Sequence, residues 1–203
     1  MTPAPPDWAQ TLVSMLVPAK TRESVLGDLL EEYRDERVPA DGEQAADRWY
    51  ARQALGFLWS ASLPVALATS GNLSARLLLD IVMAPPARDF HDRALITTFV
   101  AMGIFALFGF RLGRSTGRML GAAVVALVGT AIATVLAYAF TLAFMGVEAL
   151  LLHPDAGTWA ALVEGLDIPA PVIAAVGLAL ASAGASIGRL FTGSSGSRAS
   201  IRT

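Results

Sequence analysis

Residues 119–147, MLGAAVVALVGTAIATVLAYAFTLAFMGV, run for 29 positions without a charged side chain. About 20 apolar residues of helix cross a bilayer core, so this stretch predicts a tilted transmembrane helix. Two more uncharged stretches, 94–110 and 169–188, predict further spans. Only 16% of the 203 residues are charged, whereas soluble domains carry about a quarter. We therefore predict an all-α, multi-pass membrane protein.

A fourth candidate span, residues 55–71, is weaker because it contains Pro64 and several small polar residues. Charge favours it, because basic residues accumulate in cytoplasmic loops. The connection 111–118 and the C-terminal tail are basic, whereas 148–168 has four acids and no Lys or Arg. The residues that anchor this topology are Arg111, Arg114, Arg118 and Arg189.

The N-terminus carries neither a basic region nor an apolar core, so it does not resemble a secretory signal peptide. The basic connection 111–118 and the tail are then cytoplasmic, and the acidic connection 148–168 lies outside. With the first residues also in the cytoplasm, the chain needs one more span before residue 94, and 55–71 supplies it. We expect four spans with both termini cytoplasmic. The alternative is a re-entrant 55–71 with three spans, which places the N-terminal residues outside.

Charge also divides the chain, because 16 of its 32 charged residues lie in the first 54 positions. Between the first two spans, a mainly apolar stretch ended by Pro85 and Pro86 predicts an interfacial helix. The expected segments are a cytoplasmic helical module (1–54), a first span (55–71), an outer interfacial segment (72–93), a three-span domain (94–188) and a flexible cytoplasmic tail (189–203).

The N-terminal module has the apolar spacing of short amphipathic helices. The three predicted helices cover about 7–17, 21–37 and 43–53. Asp7 and Thr21 are placed to cap the first two, and PADGE at 39–43 predicts a turn before the third. Gly27 inside a helix costs about 1 kcal/mol, and close approach of a second helix is one use for it.

The second helix carries an acidic face, which is a candidate docking surface. Its residues are Asp28, Glu31, Glu32 and Asp35. Glu32 is spaced to pair with Arg37. The face either receives a basic partner or a cation, or it is simply solvated. Carboxylates without a neighbouring histidine or cleft do not make an acid–base site.

Small residues recur four apart, which lets helix backbones approach closely. The candidate packing residues are Gly117, Gly121, Gly129, Ala133, Gly184 and Gly188. They serve either packing among this protein's own helices or contact with another membrane protein.

Several classes of chemistry are disfavoured by the composition. Cysteine is absent, and His91 and His153 lack the spacing of a metal-ligand set. The net charge of −2 argues against nucleic-acid binding. The predicted spans hold no ionisable residue of the kind that marks ion paths, and no phosphate-binding loop is present. We expect no enzyme activity, no cofactor and no metal.

Three stretches, PP.W at 5–8, VLGDLLEEY at 25–33 and AADRWYARQAL at 45–55, resemble a bacterial permease prefix domain. That domain precedes the membrane part of some macrolide-export-type ABC transporter permeases. The resemblance covers about residues 4–58 and implies a cytoplasmic helical module at the bacterial inner membrane. It brings no known catalysis, and the large periplasmic domain and four-helix unit of those permeases do not follow here.

The sequence thus favours a non-enzymatic, multi-pass inner-membrane protein. We expect an accessory or scaffold subunit of a larger complex, either a transporter or an energy-transducing assembly. Its partners would be membrane lipids and another integral membrane protein. A reduced permease working with a separate ATPase and a membrane-anchored sensor are the alternatives.

Overall fold

The computed structural model describes residues 3–83, 87–145 and 169–193. These residues are helical apart from short connections and include no β-strand, which confirms the all-α prediction. The predicted outer loop 148–168 and the tail beyond Gly193 lie outside the described residues. The helices are α1 (Asp7–Leu16), α2 (Arg22–Glu31), α3 (Val38–Asp41), α4 (Glu43–Met83), α5 (Ala87–Thr116), α6 (Met119–Met145) and α7 (Pro169–Gly193), and a π-helical stretch, Glu32–Arg37, joins α2 to α3.

Three helical stretches of the described chain are long and apolar enough to cross a membrane. They are Glu43–Ala75, Leu95–Thr116 and Met119–Ala137. Each overlaps one predicted span. The remaining predicted span, 169–188, lies in α7, whose described apolar stretch, Leu178–Leu190, is shorter. Membrane association therefore follows from the structure, while the count of four spans stays a prediction.

α4 is one continuous helix of 41 residues, about 60 Å long at 1.5 Å per residue. It contains the third predicted module helix, the predicted span 55–71 and, up to Met83, the stretch expected to be a separate interfacial helix. Pro64 lies inside without ending the helix. Membrane helices tolerate proline because neighbouring groups satisfy the freed backbone.

The helices of the bundle alternate in direction. Asn72 of α4 donates a 3.0 Å hydrogen bond to the Thr97 carbonyl of α5. Val65, which precedes Asn72 in α4, shares a core with Phe105, which follows Thr97 in α5, so these two helices are antiparallel. A tight turn reverses the chain between α5 and α6. α7 is parallel to α5, because Gly109 faces Ala181 and Gly113 faces Ala185.

The N-terminal helices pack against the beginning of α4. Their core contains Val13 of α1, Tyr33 of the π-helical stretch, and Trp49 and Tyr50 of α4. The Tyr50 ring meets Tyr33 and Trp49 edge-on, with centroids 6.0 and 6.1 Å apart. Such pairs contribute about 1 kcal/mol of stability beyond the contribution of the apolar area that they bury. We call residues 3–54 the N-terminal module.

Local details of this module differ from the sequence-based expectations. The helix that begins at Arg22 continues to Asp41, so most of the predicted 39–43 turn is helical and the chain reverses at Gly42, with a φ of 80°. The Thr21 hydroxyl donates to the Pro18 carbonyl, 3.5 Å away, and does not cap α2. Asp7 is the first residue of α1 and follows its N-cap, Pro6. No atom of the described residues lies within 4 Å of a Cβ added to Gly27, so no described helix approaches it closely.

Candidate functional site: the junction between module and bundle

The N-terminal module is held to the membrane bundle by the turn between α5 and α6. Arg22 of α2 donates a hydrogen bond through Nη2 to the carbonyl of Thr116, the last residue of α5. The same nitrogen lies 3.3 Å from the Val17 carbonyl. The last carbonyls of a helix have no partner within it, and a cation there also favours the helix dipole. Arg22 therefore caps α5 from another part of the chain.

Two further hydrogen bonds close the same junction. The Ala19 amide donates to the Ser115 carbonyl at 2.9 Å, which satisfies a second carbonyl at the end of α5. Arg118 Nη1 donates to Ser14 Oγ of α1 at 2.8 Å. Because both connect residues about a hundred positions apart, the junction fixes the module by tertiary contacts as well as through α4.

Two glycines shape the junction. Gly117 has a φ of 69° and its amide donates to the Gly113 carbonyl at 2.9 Å, which ends α5 in a left-handed cap. Gly117, predicted to pack between helices, therefore serves the turn. Among the described residues, no atom lies within 4 Å of a Cβ added to Gly117. A Cβ at Gly121 would lie 2.6 Å from the Met15 carbonyl oxygen. The backbones of α1 and α6 thus touch at this glycine.

The junction is rich in positive charge. Burial, and next the charge of Arg118, lower the pKa of Arg22. The Nε atom of Arg22 is buried without a hydrogen-bond partner among the described residues. Within the described part of the chain, neither Arg22 nor Arg118 has a carboxylate within ion-pair distance. Among the described residues, the Arg22 guanidinium is therefore met by backbone carbonyls and that of Arg118 by the Ser14 hydroxyl, and none of these groups carries a charge.

The acidic face lies on the module, on the helix that carries Arg22. Asp28, Glu31 and Asp35 are exposed. Glu32 differs, since its Oε1 lies 2.8 Å from Arg37 Nη2, which confirms the predicted pair. The hydrogen bond to Glu32 raises the pKa of Arg37, whose guanidinium lies 5.1 Å from the centroid of the Trp49 ring. Three carboxylates thus face solvent while the fourth helps to hold the module together.

The buried Tyr33 connects its own π-helical stretch to the segment before α1 and to α4. The Tyr33 hydroxyl lies 2.8 Å from Asp47 Oδ1 and 3.3 Å from the Ala4 carbonyl. Burial and, next, the hydrogen bond with Asp47 raise its pKa to about 12. Arg34 Nε donates to the Pro3 carbonyl at 3.1 Å. The segment before α1 is therefore fastened to the following helices.

The small residues of α7 pack inside this chain. A Cβ at Gly184 would lie 2.5 Å from the Ala106 carbonyl oxygen, and one at Gly188 would lie 2.5 Å from that of Phe110. The opposing α5 glycines, Gly109 and Gly113, were not among the predicted packing residues. The sequence did contain a signal for them, since these two glycines stand four apart.

The remaining predicted packing residues contact α4 or are buried. A Cβ at Gly129 of α6 would lie 3.1 Å from Val65 Cβ and 3.3 Å from the Ser62 carbonyl oxygen. Ala133, one turn later, is fully buried. Ser62 Oγ is also buried, with no hydrogen-bond partner among the described residues. The α4–α6 contact is thus close enough to exclude solvent but leaves a hydroxyl unsatisfied.

All four predicted topology anchors lie toward one end of the bundle. Arg118 borders the junction turn, and the other three lie near the ends of α5 and α7: Arg111, Arg114 and Arg189. Gly188 packs against Arg114, so the end of α7 meets the end of α5 that carries the module. The basic residues and the module therefore share one side.

The described helices of the bundle leave a small space of about 10 Å³ between them, the size needed for one water molecule. Val65, Phe105 and Ala126 are among its lining residues. Within the described residues, no three His, Cys, Asp or Glu side chains cluster as metal ligands. The described helices thus present close packing contacts inside the bundle and exposed charged side chains on the module.

The chain was also compared with known proteins. No protein-family model matches it, and no curated protein or solved structure is significantly similar to it. Functional inference therefore depends on the residues and contacts described above.

Proposed function

We propose that this chain is a non-enzymatic integral protein of the bacterial inner membrane that acts as an accessory or scaffold subunit of a larger membrane complex. In this proposal the N-terminal module and both termini are cytoplasmic. The module presents a docking surface, and the bundle anchors it. The partner is another integral membrane protein, belonging to a transporter or to an energy-transducing assembly.

The observation that carries this proposal is the exposed acidic face on an anchored module. Asp28, Glu31 and Asp35 have no ion-pair partner among the described residues. The helix that carries them is fixed at Arg22 to the end of α5. A surface held in a constant position binds with little loss of conformational entropy. Its charge suits a basic segment of a partner.

The small size of the space between the described bundle helices supports a scaffold role over transport by a single copy. A space of about 10 Å³ among the described helices holds no more than about one water molecule. Exposed apolar side chains such as Phe99, Leu107 and Val135 lie on the outside of the bundle, where lipid or another membrane helix covers them. We further propose that residues 4–58 are a permease prefix domain, on the motifs at 25–33 and 45–55.

Co-purification from native membranes in a mild detergent tests the docking face. The test variant is the triple substitution D28N/E31Q/D35N. A matched control, E23Q/D41N/E43Q, removes the same charge from other exposed acids of the module. We expect a partner to co-purify with the wild type and the control and to be lost in the test variant. A protein that emerges alone under every mild condition argues against an accessory subunit.

The absence of cysteine makes the orientation directly testable. Single cysteines at exposed positions 35 and 115 would be treated with a membrane-impermeant maleimide on intact cells. We expect both to react only after permeabilisation, because the module and the α5–α6 turn share one side. Labelling of either residue in intact cells would overturn the cytoplasmic placement.

The prefix resemblance makes a reduced permease the second candidate. Solute flux through vesicles containing only the purified protein tests transport by this chain against the scaffold proposal. A scaffold gives no flux above that of protein-free vesicles. Saturable flux by this chain alone would replace the scaffold proposal with a transport function.

A further inference from the structure

The turn between α5 and α6 combines unbalanced positive charge with the beginning of an apolar helix. Arg22 and Arg118 flank Thr116, the first bonded to its carbonyl and the second, through its backbone amide, to its hydroxyl at 3.2 Å. Among the described residues, neither arginine has a carboxylate within ion-pair distance. Two like charges so placed are stabilised by an anion that contacts one of them.

The position of Arg118 relative to the candidate span indicates which anion reaches it. Arg118 is exposed and immediately precedes Met119 and Leu120, which are 37% and 58% exposed. These residues begin the candidate span Met119–Ala137. An exposed arginine directly before exposed apolar side chains lies at the level of the lipid phosphates, where anionic headgroups attract basic residues.

The donors that remain at this position suit a phosphate group. Arg118 uses Nη1 for Ser14, and a guanidinium carries further N–H donors on Nε and Nη2. The first turn of α6 adds backbone N–H groups and the positive end of its dipole. Arg22 lies deeper, with Nε buried, and contributes charge more than direct contact.

We propose that Arg118, supported by the charge of Arg22, binds the phosphate of an anionic phospholipid at the α5–α6 turn. The bound lipid would lie beside α6 with its acyl chains along Met119 and Leu120. This site goes beyond the scaffold role and does not depend on it. The site lies at the same turn that holds the N-terminal module. Arg118 therefore contributes both to lipid binding and to the contact between the module and the bundle.

Native mass spectrometry of the detergent-purified full chain tests the site. The probes are phosphatidylglycerol and phosphatidylcholine, added at equal concentration. We expect the wild type to retain phosphatidylglycerol preferentially and R118Q to retain it about fivefold less, since one basic residue near a lipid surface contributes about 1 kcal/mol. Equal retention of the two lipids by the wild type would overturn the proposal without reference to any variant.

Two controls separate this site from a general charge effect. S14A removes the hydrogen bond to Arg118 but keeps its charge, so we expect phosphatidylglycerol still to be retained in preference to phosphatidylcholine. R48Q removes an exposed arginine within the module, on α4, and should also leave retention unchanged. If R48Q lowers retention as much as R118Q, the attraction is diffuse and the site is refuted.

Inorganic phosphate distinguishes the source of the anion. With the lipid removed, we expect excess phosphate to leave the melting temperature of the wild type unchanged, because it lacks the apolar contact. Stabilisation by phosphate that equals stabilisation by phosphatidylglycerol, and that disappears in R118Q, would assign the site to a soluble phosphate compound and overturn the lipid assignment.

Discussion

Gly113 of α5 lies so close to Ala185 of α7 that a Cβ added to the glycine would be 2.2 Å from the Ala185 Cα atom. The same close contact occurs at Gly109 and Ala181. On α7, Gly184 and Gly188 likewise lie close to the backbone of α5. In a bilayer, close packing of backbones replaces the hydrophobic effect as a source of helix association. The α5–α7 pair is therefore the contact most sensitive to added volume.

Substituting Gly113 with alanine forces α5 and α7 apart. We expect G113A to destabilise the bundle by about 1–3 kcal/mol, the usual cost of overpacking. The measurement is the free energy of unfolding in mixed detergent micelles, followed by circular dichroism.

The matched control is G103A on the same helix. Gly103 has nothing within 4 Å of an added Cβ, so the change should be neutral or should stabilise by up to about 1 kcal/mol through helix propensity. Equal destabilisation by the two substitutions would contradict the described α5–α7 interface.

Replacing the Arg22 guanidinium with an uncharged amide should loosen the contact between the module and the bundle while leaving the bundle folded. R22Q loses the hydrogen bond to the Thr116 carbonyl, and a bond from a charged donor contributes about 1.5–3 kcal/mol. We expect amide hydrogen exchange in α1 to rise about tenfold or more. R52Q, at an exposed position of α4, is the control. Identical α1 exchange in both variants would mean that Arg22 does not hold the junction.

Alkaline pH should weaken the module through Tyr33. Its pKa is about 12 in the folded protein, compared with about 10 for a free tyrosine. The folded state holds the proton more tightly, so this contribution is complete below pH 10 and is lost as the pH rises through 12. Y33F should show a shallower loss of stability over this interval, and its ultraviolet titration should lack the tyrosinate that forms near pH 12. An unchanged pH profile in Y33F would assign the alkaline transition to another group.

Ser62 offers a site for stabilisation. Its hydroxyl is buried between α4 and α6 without a described partner, and an unsatisfied buried donor costs about 1–3 kcal/mol. S62A should therefore raise the free energy of unfolding by about 1 kcal/mol. S60A, at an exposed position on the same helix, should have little effect. A loss of stability in S62A would show that the hydroxyl is bonded after all.

The sequence predicted features that depend on local pattern. Apolar runs such as 94–110 and 119–147 give long helices, and the Glu32–Arg37 spacing gives an ion pair. Contacts between distant segments were not predictable in this way. Arg22 and Thr116 are 94 residues apart, and no periodicity connects them. The four-residue spacing of Gly109 and Gly113 likewise identifies a small face, but it does not identify α7 as the helix that meets this face.

The continuity of α4 has a mechanical consequence. One rod of about 60 Å begins inside the module, at Glu43, and extends to Met83. With the Arg22 contact as a second fixed point, the described residues contain no hinge between the module and the bundle. A force applied to the module would therefore act as a torque on α4 and α5 together, and it would reach the far end of the bundle as a change in helix tilt.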